Sequence, residues 1–201
     1  MIVFQKVNSL NNSIGDISNV GNSTYNSVEK LLKYYIDNNY LPDVNDIALV
    51  PIMKSNNTPS GNCYFSCGEY STDRAAYKAF DDNMNTHATS IGTNDFPVRL
   101  VYDFGVNKKV RVKKASYTNT ESGGYGYAVN GAEIQGSNDG TNWNTLGIFN
   151  IPASESNNKV INCSGDIPYR YICLMQPSKN NTNSGKGSMS LSELQFYGTE
   201  I

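Results

Sequence analysis

The chain has 201 residues, enough for one good core and an appendage. Hydrophobic residues make up 38% and charged residues 17%, the balance of a folded chain rather than a disordered one. A net charge of −2 offers no overall basic character that would recruit nucleic acid or an anionic membrane.

The N-terminus, MIVFQKVNSL, holds no long apolar run and reads as neither a secretory signal nor a membrane span. A chain of this kind acting outside the cell would leave by another route, such as lysis or assembly into a particle. Residues 1 to about 45 carry a heptad-like series: Val3, Val7, Leu10, Ile14, Ile17, then Val28, Leu31 and Tyr35. It is broken where Gly21 and Thr24 stand in apolar positions. The steps of four and three suit helices that associate along a seam. The clearest helix is NSVEKLLKYYIDNN, with Asn26 as N-cap and Glu29 three residues later. Val28, Leu31, Leu32, Tyr35 and Ile36 form its apolar stripe, and Asn38, Asn39 and Pro42 end it. Such a stripe packs either on its own domain or on copies of itself; residues 1–49 are read here as a short helical oligomerisation stalk.

The stretch VPIMKSNNTPSGN, 50 to 62, is punctuated by Pro51, Pro59 and Gly61 and reads as a linker. From about Leu49 the pattern is β. Segments 98–104, 109–117, 132–137, 144–150, 169–175 and 190–198 are short and rich in Val, Ile, Tyr and Phe. SNDGTNW, with its Asp-Gly pair, reads as a hairpin turn, and Trp143 as a core anchor. No helical pattern alternates with these strands, so the expected fold is a mostly β antiparallel sandwich or jelly roll over residues 50–201.

The chemistry-bearing residues are few. Cys63 and Cys67 have no second close pair, and His87 is the only histidine, so a structural zinc site lacks ligands and reduced thiols are expected. Nucleophile-elbow, zinc-protease and P-loop motifs are absent. SNDGTNW is one residue short of a sialidase box, and Asp81 and Asp82 are adjacent, so on a strand they would point to opposite faces. The expectation is therefore a non-enzymatic protein. Fourteen tyrosines and abundant Asn suit a polar recognition surface, although an AT-rich genome would also enrich Asn. One stretch stands out: after the core-like Ala79-Phe80 step, DDNMNTHATS supplies a run of side-chain oxygens. Turn chemistry and a bound hard cation both account for it.

YKAFDDNMNT, FPVRLVYDFG, AEIQGSNDGTNW, YRYICL and SLSELQFYG follow one another in an order that resembles the discoidin, or coagulation factor type C, superfamily, which includes the family-32 carbohydrate-binding modules. NTPSGN, GEYSTDRAAYKAFDD and the stalk-like segment further resemble receptor-binding proteins of phages and phage-tail-like bacteriocins. The resemblance implies a galactose-binding-like jelly roll whose ends lie close together. It also implies a structural Ca2+ held by the carboxylate of Asp81, the carbonyl and hydroxyl of Thr86, carbonyls of Lys78 and Asn83, and Glu193. Two positions depart from the family pattern: Asp82 stands where a glycine is usual, and Ala88 where a tryptophan is. Asn119 and Thr120 stand where galactose-binding relatives often carry arginine, so a galactose preference is not implied. The implied sugar-binding loops hold Glu69, Tyr70, His87, Asn119, Tyr125, Tyr127, Asn181 and Asn183.

Together these readings give a receptor-binding protein of a virion or tail-like particle. It would be made in the bacterial cytoplasm and would act at the surface of a Gram-positive host. A homotrimeric stalk would attach to other particle proteins, and the sandwich would bind a cell-surface carbohydrate, with no nucleic acid and no membrane insertion. The alternatives are a carbohydrate-binding module of a secreted glycosidase and a structural, protein-binding tail domain.

Overall fold

In Val110–Thr118, Val110, Val112, Ala115 and Tyr117 turn inward, two residues apart except where Lys113 and Lys114 interrupt the alternation. The computed structural model describes residues 47–118, 131–150, 159–179 and 187–201. The expected stalk helix, and Asn119, Tyr125, Tyr127, Asn181 and Asn183, lie outside the described residues.

Ten strands are described: β1 Asn62–Phe65, β2 Ala88–Thr89, β3 Val98–Asp103, β4 Val110–Thr118, β5 Ala132–Ser137, β6 Asn144–Phe149, β7 Lys159–Asn162, β8 Tyr171–Gln176, β9 Ser190–Leu191 and β10 Glu193–Glu200. They pair antiparallel in a five-stranded sheet ordered β1-β3-β8-β5-β6, a three-stranded sheet ordered β10-β4-β7, and a short β2-β9 pair. Leu100, Tyr102, Ile134, Phe149, Ile172 and Leu174 from the larger sheet meet Val112, Ala115, Tyr117, Leu194 and Phe196 from the smaller in one core. Each large apolar side chain buried there contributes about 1.5–3 kcal/mol against the ordering entropy of the chain. The mostly β sandwich expected from the strand pattern is therefore present.

Three expectations need correction. Residues 50 to 62 are no linker: Val50 and Met53 are buried in the core, and Met53 N–H donates to the Phe80 carbonyl at 2.8 Å. Prolines and Asn hid two apolar anchors. Trp143 is not a main-core anchor. It packs with Tyr171 over Val101, Cys173 and Met175, a small cluster outside the central core, and Arg99 lies 5.3 Å from its ring centroid. The strands β1, β2 and β7 were not expected; each spans four residues or fewer, too short for periodicity to register. SNDGTNW does form the β5–β6 turn. Asp139 Oδ1 accepts from the Thr141 and Asn142 N–H groups at 2.8 and 2.7 Å, and Gly140 has φ +74°. All four cysteines are free thiols.

Candidate functional site

Two short 3-10 turns, Thr72–Arg74 and Ala76–Ala79, lead the chain to Phe80, which is buried against Tyr102 and Phe196. That anchor fixes where the next residues emerge. Asp82 follows with φ +56°, the left-handed conformation in which Asp is better tolerated than most residues. The turn throws Asp81 back toward β10. Asn83 N–H lies 3.2 Å from Asp81 Oδ1 and 2.8 Å from Glu193 Oε1, donating to both carboxylates. The Thr86 hydroxyl is 2.9 and 2.8 Å from the two Asp81 oxygens and 3.0 Å from the Asn83 carbonyl oxygen. Lys78 sits differently from the expectation of a carbonyl donor alone, because its ammonium is 3.4 Å from Asp81 Oδ2.

The electrostatics of this corner are lopsided. Burial, reinforced by the charges of Asp81 and Asp82, pushes the Glu193 carboxyl up to about 7. Among the described residues no three acidic, His or Cys side chains converge on one point. A cation here would rest on Asp81 and Glu193 and otherwise on neutral oxygens, a hard donor set of the type Ca2+ accepts. The residues fit such an ion: two converging carboxylates and neutral oxygens, with the Lys78 ammonium against Asp81 at the edge of the cluster.

The second group lies around the bridge between Glu69 and Ser90. Glu69 Oε1 accepts from Asn56 Nδ2 at 2.6 Å and from the Ala76 N–H at 2.8 Å. Asn56 Oδ1 in turn accepts from the Tyr77 N–H at 3.0 Å. Glu69 thus clamps the start of the second 3-10 turn to the 56 loop. Tyr70 N–H donates to the Thr89 carbonyl at 2.9 Å, while its side chain is 68% exposed. His87, two residues before Thr89, is half-buried. Burial and then the nearby positive charge of Arg74 lower its pKa, so the ring is neutral at pH 7. Tyr70 is exposed beside the Glu69–Ser90 bridge, and Arg74 lies near enough to His87 to act on it electrostatically. Sequence reasoning passed over Arg74. Its signal was weak, a lone arginine in an otherwise polar turn, and only the fold brings its charge to His87. Tyr70 offers a flat ring for a sugar C–H face, Arg74 offers donors, and a neutral imidazole both donates and accepts.

Residues 58–193 match the model of the F5/8 type C domain. The chain belongs to the F5/8 type C family. The expected discoidin resemblance is thereby established. Among solved structures, this F5/8 type C chain is similar to CpGH89CBM32-5 from Clostridium perfringens, solved in complex with GalNAc-β-1,3-galactose. Identity is 16%, the match covers 69% of this chain and 95% of that one, and the TM-score is 0.54. The family 32 carbohydrate-binding module of NanJ from the same organism, in complex with galactose, matches at 20% identity over 68% of this chain and 93% of that one, with a TM-score of 0.54. The lectin domain of lectinolysin, complexed with Lewis b antigen, matches at 15% identity over 74% of this chain and 99% of that one, again at 0.54. No curated protein matched the chain.

Proposed function

We propose that this F5/8 type C domain is a non-catalytic carbohydrate-binding domain that takes a glycan at the loop surface of Tyr70, Arg74 and His87. The observation that carries this reading is the exposed Tyr70 ring on a loop whose backbone bonds to Thr89, two residues after His87, with the charge of Arg74 acting on that imidazole. The relatives named above bind galactose-containing ligands or Lewis b, which supports the ligand class while leaving the particular sugar open. Glu69 acts in this reading as a positioning residue that holds the loop. Asp81 and Glu193, with Thr86 and Asn83 oxygens, would hold a Ca2+ whose charge ties the loop after Phe80 to β10.

Of the settings expected from the sequence, a module appended to a glycosidase or a lectin has more support, because the relatives named above are such modules. The receptor-binding role in a phage or tail-like particle rests on the apolar series Val3 to Tyr35 and on the resemblance carried by NTPSGN and GEYSTDRAAYKAFDD. That series motivates one check: light scattering of the full chain gives a trimer on the particle reading and a monomer on the module reading. For the binding function itself, a glycan array probed with the full chain should show discrete hits that weaken in Tyr70→Ala and Arg74→Ala. An array with no hits at any protein concentration would overturn it.

A further inference from the structure

The net charge of −2 conceals a local excess. Lys108, Lys109, Arg111, Lys113 and Lys114 put five cations into seven residues just before β4 and in its first half. Strand alternation alone would send Lys113 and Lys114 to opposite faces. The register with β10 prevents this. Lys114 lies opposite Tyr197 and Val112 opposite Gly198, so Lys113 is the extra residue of a β-bulge. Gly198 permits the bulge: it has φ +154°, and a Cβ there would collide with the Arg111 carbonyl. Val110, Val112 and Ala115 are buried, whereas Lys109 and Arg111 are exposed and Lys113 and Lys114 half-buried. The bulge therefore gathers Lys109, Arg111, Lys113 and Lys114 on the outer face of the β10-β4-β7 sheet, with alternate cations about 7 Å apart.

The strip already demonstrates what it accepts. Lys113 Nζ lies 2.7 Å from Asp166 Oδ1, and Arg111 Nε donates to the Asp166 carbonyl at 3.0 Å. The Asp166 side chain is 89% exposed, so it rides on the strip without closing it. Lys108 is engaged by Glu200 at 2.9 Å. Lys114 lies 5.8 Å from the Tyr197 ring centroid, and the Tyr197 hydroxyl is 3.3 Å from Ser116 Oγ. Asn162 and Thr199, opposite Lys114 and Arg111, line the two sides with an amide and a hydroxyl.

We propose that this face binds an anionic polysaccharide, with carboxylate or sulfate groups on Arg111, Lys113, Lys114 and Lys109, and sugar hydroxyls on the flanking Ser116, Asn162 and Thr199. This is a surface separate from the loop site and does not depend on it. A sparse charge spacing matches a strip one strand wide. Nucleic acid fits less well: single strands need open rings to stack on, and Tyr197 is already engaged by Lys114 and Ser116.

The test uses the full chain against immobilised polygalacturonate, dextran sulfate, neutral dextran and duplex DNA. Binding to polygalacturonate, dextran sulfate or both is expected, and it should fall by about tenfold or more between about 50 and 200 mM salt. The first two supports distinguish carboxylate from sulfate. Arg111→Gln/Lys113→Gln/Lys114→Gln should lose about tenfold or more in affinity, while Tyr70→Ala retains it. Asp166→Asn removes the competing carboxylate and should raise affinity by about two- to fivefold, a gain that misfolding could not mimic. No binding at low salt, equal retention on neutral dextran, tighter binding to DNA, or indifference to both the triple variant and Asp166→Asn would each overturn the proposal.

Discussion

Glu69 and Glu193 are both half-buried carboxylates that tie distant stretches of chain together, and they are in opposite electrostatic states. Glu69 faces donors, the Asn56 amide and the Ala76 N–H, and its clamp is complete with protein atoms alone. Glu193 shares a single N–H, that of Asn83, with Asp81, and it feels the charges of Asp81 and Asp82. The difference separates two uses of a buried acid. A carboxylate saturated by N–H groups is a structural fastener. One crowded by like charge stabilises the fold only when a proton or a cation joins it.

The comparison predicts opposite responses to deletion. Glu69→Ala leaves an amide and a backbone N–H without a partner and should lower the melting temperature by about 4–10 °C. Glu193→Gln, measured without added cation at pH 8, should leave it unchanged or raise it by about 1–3 °C, because a repulsive charge is removed. If both variants lose stability equally, the two carboxylates do not differ as described.

Calcium should separate them next. At about ten times its Kd, an ion bound only by the native state should raise the melting temperature by about 3–6 °C. Asp81→Ala and Glu193→Gln should abolish the rise, and chelator should reverse it in the wild type. Calorimetry showing no Ca2+ response would leave the oxygens after Phe80 as turn chemistry.

A smaller effect comes from pH. In the native state Glu193 holds its proton up to about 7, whereas the unfolded chain releases it near 4.5. Between these values the native state binds more protons, so its contribution to stability declines as pH rises through the window. His87, with a lowered pKa, contributes with the opposite sign as its ring loses its proton. The wild-type curve minus that of Glu193→Gln should therefore slope downward from pH 4.5 to 7, and saturating Ca2+ should flatten it. A flat difference without cation would remove the claim of a strained acid.

Much of the sandwich was legible because its longer strands are rich in Val, Ile, Tyr and Phe and are separated by turn signals. Six segments were expected, and β3, β4, β5, β6, β8 and β10 occupy them to within a few residues. Short elements were not, since two to four residues of β1, β2 and β7 carry too little periodicity. Asp81, Asn83, Thr86 and Glu193 were expected together from the resemblance, and the fold does bring them together across more than a hundred residues of chain. The Lys78 ion pair was not legible, because spacing says nothing about which way a long side chain turns. Nor was the Glu69–Asn56 clamp, or the proximity of Arg74 to His87, since both need a tertiary fold to exist. The cationic strip was hidden for another reason: a bulge breaks the alternation that assigns side chains to faces, and no sequence period marks its position.

Glycan binding at the loop surface is the central claim, and titration calorimetry tests it most directly. The best glycan from an array of the full chain is titrated into wild type, Tyr70→Ala and Arg74→Ala, with melting temperatures measured in parallel. The account predicts saturable wild-type binding that weakens by about tenfold or more in both variants, with melting temperatures within about 1 °C of wild type. Unchanged affinity in both variants, or no glycan bound by the wild type, would contradict it.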